Sequence, residues 1–110
     1  MNSKKKMLDD YELMQCIDAG LDRFGRGIKY TVYWRMVVLN ESPSEGIISN
    51  PKGFLIALKS IFGNSAKQIE QAIIDEINTL VGEEDNQQTA SLPELISQVR
   101  RERLLVQSVR

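Results

Sequence analysis

The 110-residue chain has no histidine and only one cysteine, Cys16. Without histidine it lacks the side chain that most often serves as a general base near neutral pH and as a zinc ligand. A single cysteine excludes an intramolecular disulfide, and without histidine it cannot form a Cys–His catalytic pair. We therefore interpret Cys16 as a small residue in or beside the core.

A strong net charge and long apolar runs are also missing. The formal net charge is -1, so no overall basic character draws the chain to nucleic acid or to a membrane surface. No apolar run approaches the roughly 20 residues of a membrane span. The first residues, MNSKKKMLDDYEL, lack the apolar region of a signal peptide. We expect a cytoplasmic protein that makes no membrane contact.

No motif with the spacing of a catalytic, cofactor or metal site occurs. Two carboxylate pairs, Asp18 with Asp22 and Asp75 with Glu76, fall on the polar sides of predicted helices, where a solvated surface explains them. The GRG sequence at 25–27 has neither the lysine spacing nor the preceding strand of a phosphate-binding loop. We expect a non-enzymatic protein with no catalytic residue, no cofactor and no metal.

The stretch from Asn50 to Gly82 predicts two helices joined by a short turn. Asn50 can cap the first helix, and a proline follows at its first position. Gly63 ends that helix, and Ser65 with Gln68 has the spacing of a capping box for the second. Two apolar stripes follow helical spacing: Phe54, Leu55, Leu58, Ile61 and Phe62, then Ile69, Ile73, Ile77, Leu80 and Val81. An αα-hairpin or a steep corner is predicted.

A helix is also predicted over residues 8–24. Asp9 or Asp10 can cap it and favours the positive end of the helix dipole. Gly20 lies inside this helix, where glycine costs about 1 kcal/mol relative to alanine. We expect a close helix crossing at Gly20 as the reason, and the Gly-Arg-Gly sequence that follows should end the helix.

Residues 28–40 are ambiguous between helix and strand. The run TVYWRMVVL is rich in β-branched and aromatic residues, which favours a strand. Ile28, Val32 and Met36 keep helical spacing, and no other segment has a β pattern that could supply a partner strand. We predict a helix that is buried on most sides. Trp34 is interpreted as a core or boundary residue.

Residues 41–49 contain Ser-Pro and Gly and predict a loop, with Ile47 and Ile48 tucked under the central helices. Residues 83–91 are polar, without an apolar anchor, and predict a flexible linker. Ser91 with Glu94 has capping-box spacing and begins a further amphipathic helix.

The predicted fold class is therefore all-α. A flexible N-terminus, 1–7, precedes a compact four-helix domain over residues 8–82. The linker at 83–91 then leads to a separate C-terminal amphipathic helix over 92–110.

Binding to nucleic acid is the alternative function. The sequence ALKSIFGNSAKQIEQAI superficially looks like a helix-turn-helix motif. Lys59 falls where that motif usually has a small residue, and acidic residues such as Glu70 and Asp75 would be repelled by phosphates. The remaining route is a nucleic-acid-associated transcriptional regulator that uses Lys4 to Lys6 and the C-terminal arginines.

A family resemblance extends over residues 9–82. The Tyr33-Trp34 step, the proline-started helix that ends in Ile61-Phe62-Gly63, and the sequence AKQIEQAIIDEI resemble the archaeal Nitrososphaera output domain, class five. That resemblance implies a small all-helical signal-output domain, found alone or attached to signalling modules. The matching positions are mostly core or turn positions, so the resemblance implies a fold and a signalling context without any catalytic residue.

These observations together predict an intracellular protein-interaction module. A C-terminal helix with an apolar face has to bury that face, either on a second copy, giving a homodimer, or on another protein. Whether the helix packs on its own domain stays open. An exposed Met36 would join the docking surface on the helix that carries it. The candidate protein-binding residues are Tyr33, Trp34, Ile96, Val99, Arg103 and Val106.

Overall fold

A computed structural model describes residues 7–38, 43–82 and 91–100, with the backbone alone at 43–45. These residues form six α-helices and no strand: α1 Asp10–Asp22, α2 Arg26–Val38, α3 Pro43–Ser49, α4 Pro51–Phe62, α5 Ala66–Val81 and α6 Leu92–Val99. The predicted all-α fold is confirmed. In the part of the chain described, no helix combines the length and the apolar character needed to cross a membrane.

Helix α1 begins at a complete capping box. The Glu12 backbone N–H donates to the Asp9 carboxylate at 2.8 Å, and the Asp9 backbone N–H donates to the Glu12 carboxylate at 3.0 Å. Asp9 is thus the cap, one of the two residues predicted for that role. The helix is shorter than the predicted 8–24, and at its start this is because Leu8 pairs with Arg100, just after α6, instead of extending the helix.

Helices α1 and α5 cross in close contact at Gly20. A Cβ atom placed on Gly20 would lie 2.6 Å from Ile73 Cγ1 and 2.8 Å from Ile73 Cα. The predicted close crossing at Gly20 is confirmed, and it explains why a residue with poor helix propensity occupies this position. Helix α5 contributes the largest set of buried residues: Ala66, Ile69, Ala72, Ile73, Ile74, Ile77 and Val81.

The junction of α4 and α5 is a short helical turn. Asn50 caps α4 by accepting a hydrogen bond from the Gly53 N–H at 3.2 Å, and Gly63, with φ +62°, ends that helix. A 3₁₀ turn at Gly63–Ser65 then leads straight into α5. The capping box predicted at Ser65 does not form, because Ser65 already has helical dihedrals (φ -71°, ψ -12°) and not the extended backbone of a cap.

Helix α3 replaces the loop that was predicted at 41–49. A proline at its first position costs no hydrogen bond, so Pro43 starts the helix and does not break it. The prediction that Ile47 and Ile48 are buried is confirmed, with exposed fractions of 0% and 3%.

Helix α2 confirms the helical alternative over residues 28–38, but it is not buried on most sides. Residues 39 and 40 of the predicted segment lie outside the described residues. Only Val32 and Met36 are buried. The helix packs with one side against α1, α3 and α4. Its other side carries large apolar side chains that are at least half exposed. The prediction was wrong because it inferred burial from apolar composition alone.

The C-terminal helix packs in cis and is part of the core. Its apolar residues Leu92, Leu95, Ile96 and Val99 belong to the same buried cluster as α1, α4 and α5. The structure thus differs from the predicted separate helix over 92–110, because these four side chains fall on one face of a short helix and that face is covered. Residues 83–90 of the predicted linker 83–91 lie outside the described residues, as do 1–6 and 101–110, while Ser91 is the N-cap of α6.

Polar bonds hold both ends of α6. The first N–H of the helix, from Leu92, donates to Glu70 Oε2 at 2.8 Å. At the other end the Leu8 N–H donates to the Val99 carbonyl at 2.8 Å. The Arg100 guanidinium donates to both carboxylate oxygens of Asp10, at 2.9 and 3.1 Å. The predicted Ser91 cap is present, since its Oγ accepts from the Glu94 N–H at 3.4 Å.

Replacing Gly20 with alanine should destabilise the fold. We expect the free energy of unfolding to fall by about 1–3 kcal/mol, because the new methyl group would collide with the backbone of α5. Gly27→Ala is the matched control: its Cβ would meet nothing within 4 Å, so the change should be neutral or stabilising by at most about 1 kcal/mol. Urea unfolding of both variants measures the difference, and equal stabilities would contradict the close crossing.

Replacing Ile96 with alanine should act through folding. Ile96 is 2% exposed, so truncating it leaves a cavity and should cost about 2–5 kcal/mol of unfolding free energy. Ser97→Ala, at the exposed neighbour, should stay within about 0.5 kcal/mol of the parent chain. Thermal and urea unfolding check the pair. A stable Ile96→Ala variant would mean that α6 is not docked in solution.

Candidate protein-interaction site

The most exposed group of large apolar side chains lies on the outer side of α2. Tyr30, Trp34, Val37 and Val38 are 58%, 65%, 50% and 54% exposed. Their spacing of four, three and one residues places them on one side of a helix, across two turns. We call these four residues the apolar face of α2.

The inner side of α2 is fixed to α1 by charged and polar bonds. The Lys29 ammonium lies 3.3 Å from an Asp18 oxygen and 3.2 Å from an Asp22 oxygen. The Tyr33 hydroxyl donates to the other Asp18 oxygen at 3.0 Å. Together with buried Val32 these bonds hold α2 in one orientation, so the apolar face is presented by a rigid element.

The same contacts fix the protonation of Lys29 and Tyr33. Hydrogen bonds to Asp22 and then to Asp18 raise the pKa of Lys29. Burial, followed by the Asp18 charge, raises the pKa of Tyr33 well above its ordinary value. Both groups therefore keep their protons at neutral pH, and neither can serve there as a general base.

A shallow groove of about 410 Å³ runs between α1 and α2 beside the apolar face. Tyr33 lines the groove, while its neighbour Trp34 belongs to the apolar face. The groove is lined by Met14, Gln15, Asp18, Ala19, Asp22 and Tyr33. Groove and apolar face together offer a ridge beside a shallow channel, the shape that an extended or helical segment can contact.

Two arginines of α2 are available at this surface. Arg26 and Arg35 are exposed, and neither has an ion pair or hydrogen bond with another described residue. Residues 26–38 contain no aspartate or glutamate. Because Lys29 is neutralised by Asp18 and Asp22, the charge that α2 presents to solvent comes from these two arginines.

The predicted site residues divide between surface and core. Trp34 is the most exposed residue of the apolar face, and Tyr33 is half-buried in the groove wall. Met36 is only 3% exposed and does not contribute. Ile96 and Val99 are buried in the core, so they are covered by their own domain and offer no surface to a partner. Arg103 and Val106 lie outside the described residues.

Sequence reasoning missed Tyr30, Val37, Val38 and the two arginines as parts of the surface. The signal was present in the sequence, because α2 has two apolar stripes. A helix at the surface of a small domain can bury only one of them against the rest of the domain. The stripe that includes Val32 is the covered one.

The resemblance to a helix-turn-helix is confined to the sequence motif. Helix α5, which would read the groove of DNA, packs against α1, α4 and α6. Its acidic residues are already engaged: Glu76 and Asp75 pair with Arg23 at 2.7 and 3.8 Å, and Glu70 holds the start of α6. Helix α5 therefore packs in the core of the domain.

Cys16 is buried, and burial followed by the charges of Glu76 and Glu12 raises its pKa to about 11. A thiol in this state is unreactive at neutral pH, as expected for a core residue. Among the described residues, no group of three or more histidine, cysteine or carboxylate side chains could hold a metal ion.

Comparison with protein-family models, with curated proteins and with solved structures gives no match for this chain.

Tyr33→Phe should change how stability depends on pH. Above pH 10 the unfolded chain releases the tyrosine proton while the folded chain keeps it, so the parent protein loses stability as pH rises. At pH 7 the variant should be less stable by about 1 kcal/mol for the lost hydrogen bond. That deficit should shrink above pH 10. Urea unfolding at pH 7, 10 and 11 measures it, and a constant deficit would contradict the assignment.

Proposed function

We propose that this protein is a non-catalytic protein-interaction module that binds its partner through the apolar face of α2. The observation that carries the proposal is the exposure of two aromatic and two aliphatic side chains on one side of a fixed helix. Contiguous exposed apolar patches on small proteins commonly mark binding surfaces. Tyrosine and tryptophan are also the residue types that contribute most to binding energy at interfaces.

A signalling context is part of the proposal. The resemblance of residues 9–82 to an archaeal signal-output domain supports an intracellular module whose output is contact with another protein. The matching positions include Tyr33, which lines the groove, and Trp34, which belongs to the apolar face. Self-association through α2 is a second form of the same proposal, since α6 is already covered in cis.

A nucleic-acid-associated regulator is the second candidate. Arg26 and Arg35 flank Tyr30 and Trp34 along α2, and aromatic side chains beside arginines suit single-stranded nucleic acid. Against it stand the net charge of -1, the two valines on the same face and the acidic Asp18 and Asp22 in the neighbouring groove. These features suit a protein surface better than a phosphate backbone.

Selection of peptides on the immobilised full chain tests the interaction function. A phage-displayed random library should yield peptides whose binding is lost with Trp34→Ala, because that change removes the largest exposed side chain of the face. Ile56→Ala is the matched control, since Ile56 is 70% exposed on α4 and is not part of the apolar face of α2. Its binding should equal that of the parent chain.

Two results would decide against the proposal. One is a library that yields no peptide dependent on Trp34. The other is equal loss with Trp34→Ala and Ile56→Ala, which would indicate non-specific apolar binding. Sedimentation velocity over a range of concentrations separates the two forms of the proposal, because self-association through α2 should weaken with Trp34→Ala.

A further inference from the structure

The apolar face of α2 has the dimensions of a single helix. Tyr30 to Val38 spans about 12 Å along the axis at 1.5 Å per residue. Two aromatic and two valine side chains at the observed exposures amount to roughly 400 Å² of apolar surface. A stable interface between two globular proteins needs about 800 Å² from each partner. The face therefore fits a segment of two to three helical turns better than a second copy of the domain.

The charges beside the apolar face indicate which charge the side chains of a partner should carry. Arg26 and Arg35 lie on opposite edges of the apolar face by helical position, about 65° and 115° from its centre at 100° per residue. Both are exposed and have no partner among the described residues. A second α2 would bring only further cations to these edges, because α2 carries no acidic residue. A partner with carboxylates on both edges would neutralise them.

The inner contacts make the site rigid before binding. Lys29 and Tyr33 are held by Asp18, and Lys29 also lies 5.7 Å from the centre of the Tyr30 ring, in cation–π range. Little side-chain entropy is then lost at Tyr30 when a partner arrives. A rigid, apolar, cation-bordered helix face recognises an amphipathic helix better than it recognises a flexible polar chain.

We infer that the partner of this surface is an amphipathic helix whose apolar stripe is bordered by acidic residues, and that it lies along α2 with its carboxylates at Arg26 and Arg35. This inference rests on the proposed interaction function and adds the chemistry of the partner. Nucleic acid and anionic membranes also bind to cationic surfaces. The test therefore has to distinguish both of them from an acidic helix.

The test uses two synthetic helical peptides of about five turns with the same leucine and phenylalanine stripe. One carries glutamate on both edges of the stripe, and the other carries lysine at the same positions. Fluorescence anisotropy of the labelled peptides on the full chain gives the affinities. Trp34 is the only tryptophan, so a blue shift of its emission reports contact at the face itself.

The glutamate peptide should bind at least about tenfold more tightly than the lysine peptide, a difference that shrinks as salt is raised. Trp34→Ala should weaken binding at least about tenfold, as for a central interface aromatic. The double variant Arg26→Glu with Arg35→Glu should reverse the preference toward the lysine peptide. Lys52→Glu with Lys59→Glu, on exposed positions of α4, is the matched charge control and should keep it.

Other outcomes overturn the inference. Equal or tighter binding of the lysine peptide, or no binding of either peptide, removes the acidic helix as partner. The interaction function still stands if library peptides depend on Trp34. Trp34-dependent binding of oligothymidine, or of phosphatidylserine vesicles, without binding of the glutamate peptide replaces the protein partner by nucleic acid or membrane. Both proposals fail together if nothing binds through Trp34.

Discussion

The approach of α1 to α5 at Gly20 is the contact on which the other helices depend. With no side chain at residue 20, Ile73 and its backbone can lie against α1, and the long apolar side of α5 is covered. Helices α4 and α6 then pack on the remaining sides of α5. A side chain at residue 20 would push α1 away from α5, and the ion pair between Arg23 and Glu76 at the end of the same contact would lose its geometry.

Helix α6 shows how a short segment becomes ordered by what it contacts. Eight residues are too few to form a stable helix in water, so its order derives from its four buried side chains and from the bonds at its ends. Glu70 supplies an acceptor where the helix has unpaired N–H groups, and Leu8 supplies a donor to its last carbonyl. The start of the described chain and the end of α6 are thereby joined, and the core closes between them.

Local signals made most of the helices predictable, whereas tertiary relations were out of reach. The caps at Asp9, Asn50 and Ser91 and the helical spacing of apolar residues depend on near neighbours in the chain. Periodicity cannot say which of two apolar stripes on α2 is covered, and it cannot say that α6 packs in cis. The groove was missed for the same reason, because it depends on how α1 and α2 pack together, with Lys29 and Tyr33 reaching Asp18 across the turn between them.

Helix α2 buries Val32 and Met36 like an ordinary surface helix, but the packing of the described residues gives no reason for the apolar side chains on its outer side. Surface helices usually turn apolar side chains inward and charged ones outward. Here the Lys29 side chain is 14% exposed between two aspartates, while Trp34 is 65% exposed. The inner contacts would hold α2 equally well if polar residues occupied positions 30, 34, 37 and 38, since those side chains contribute little to the core. The contact with another molecule that we propose would account for an apolar outer face that the described core does not need.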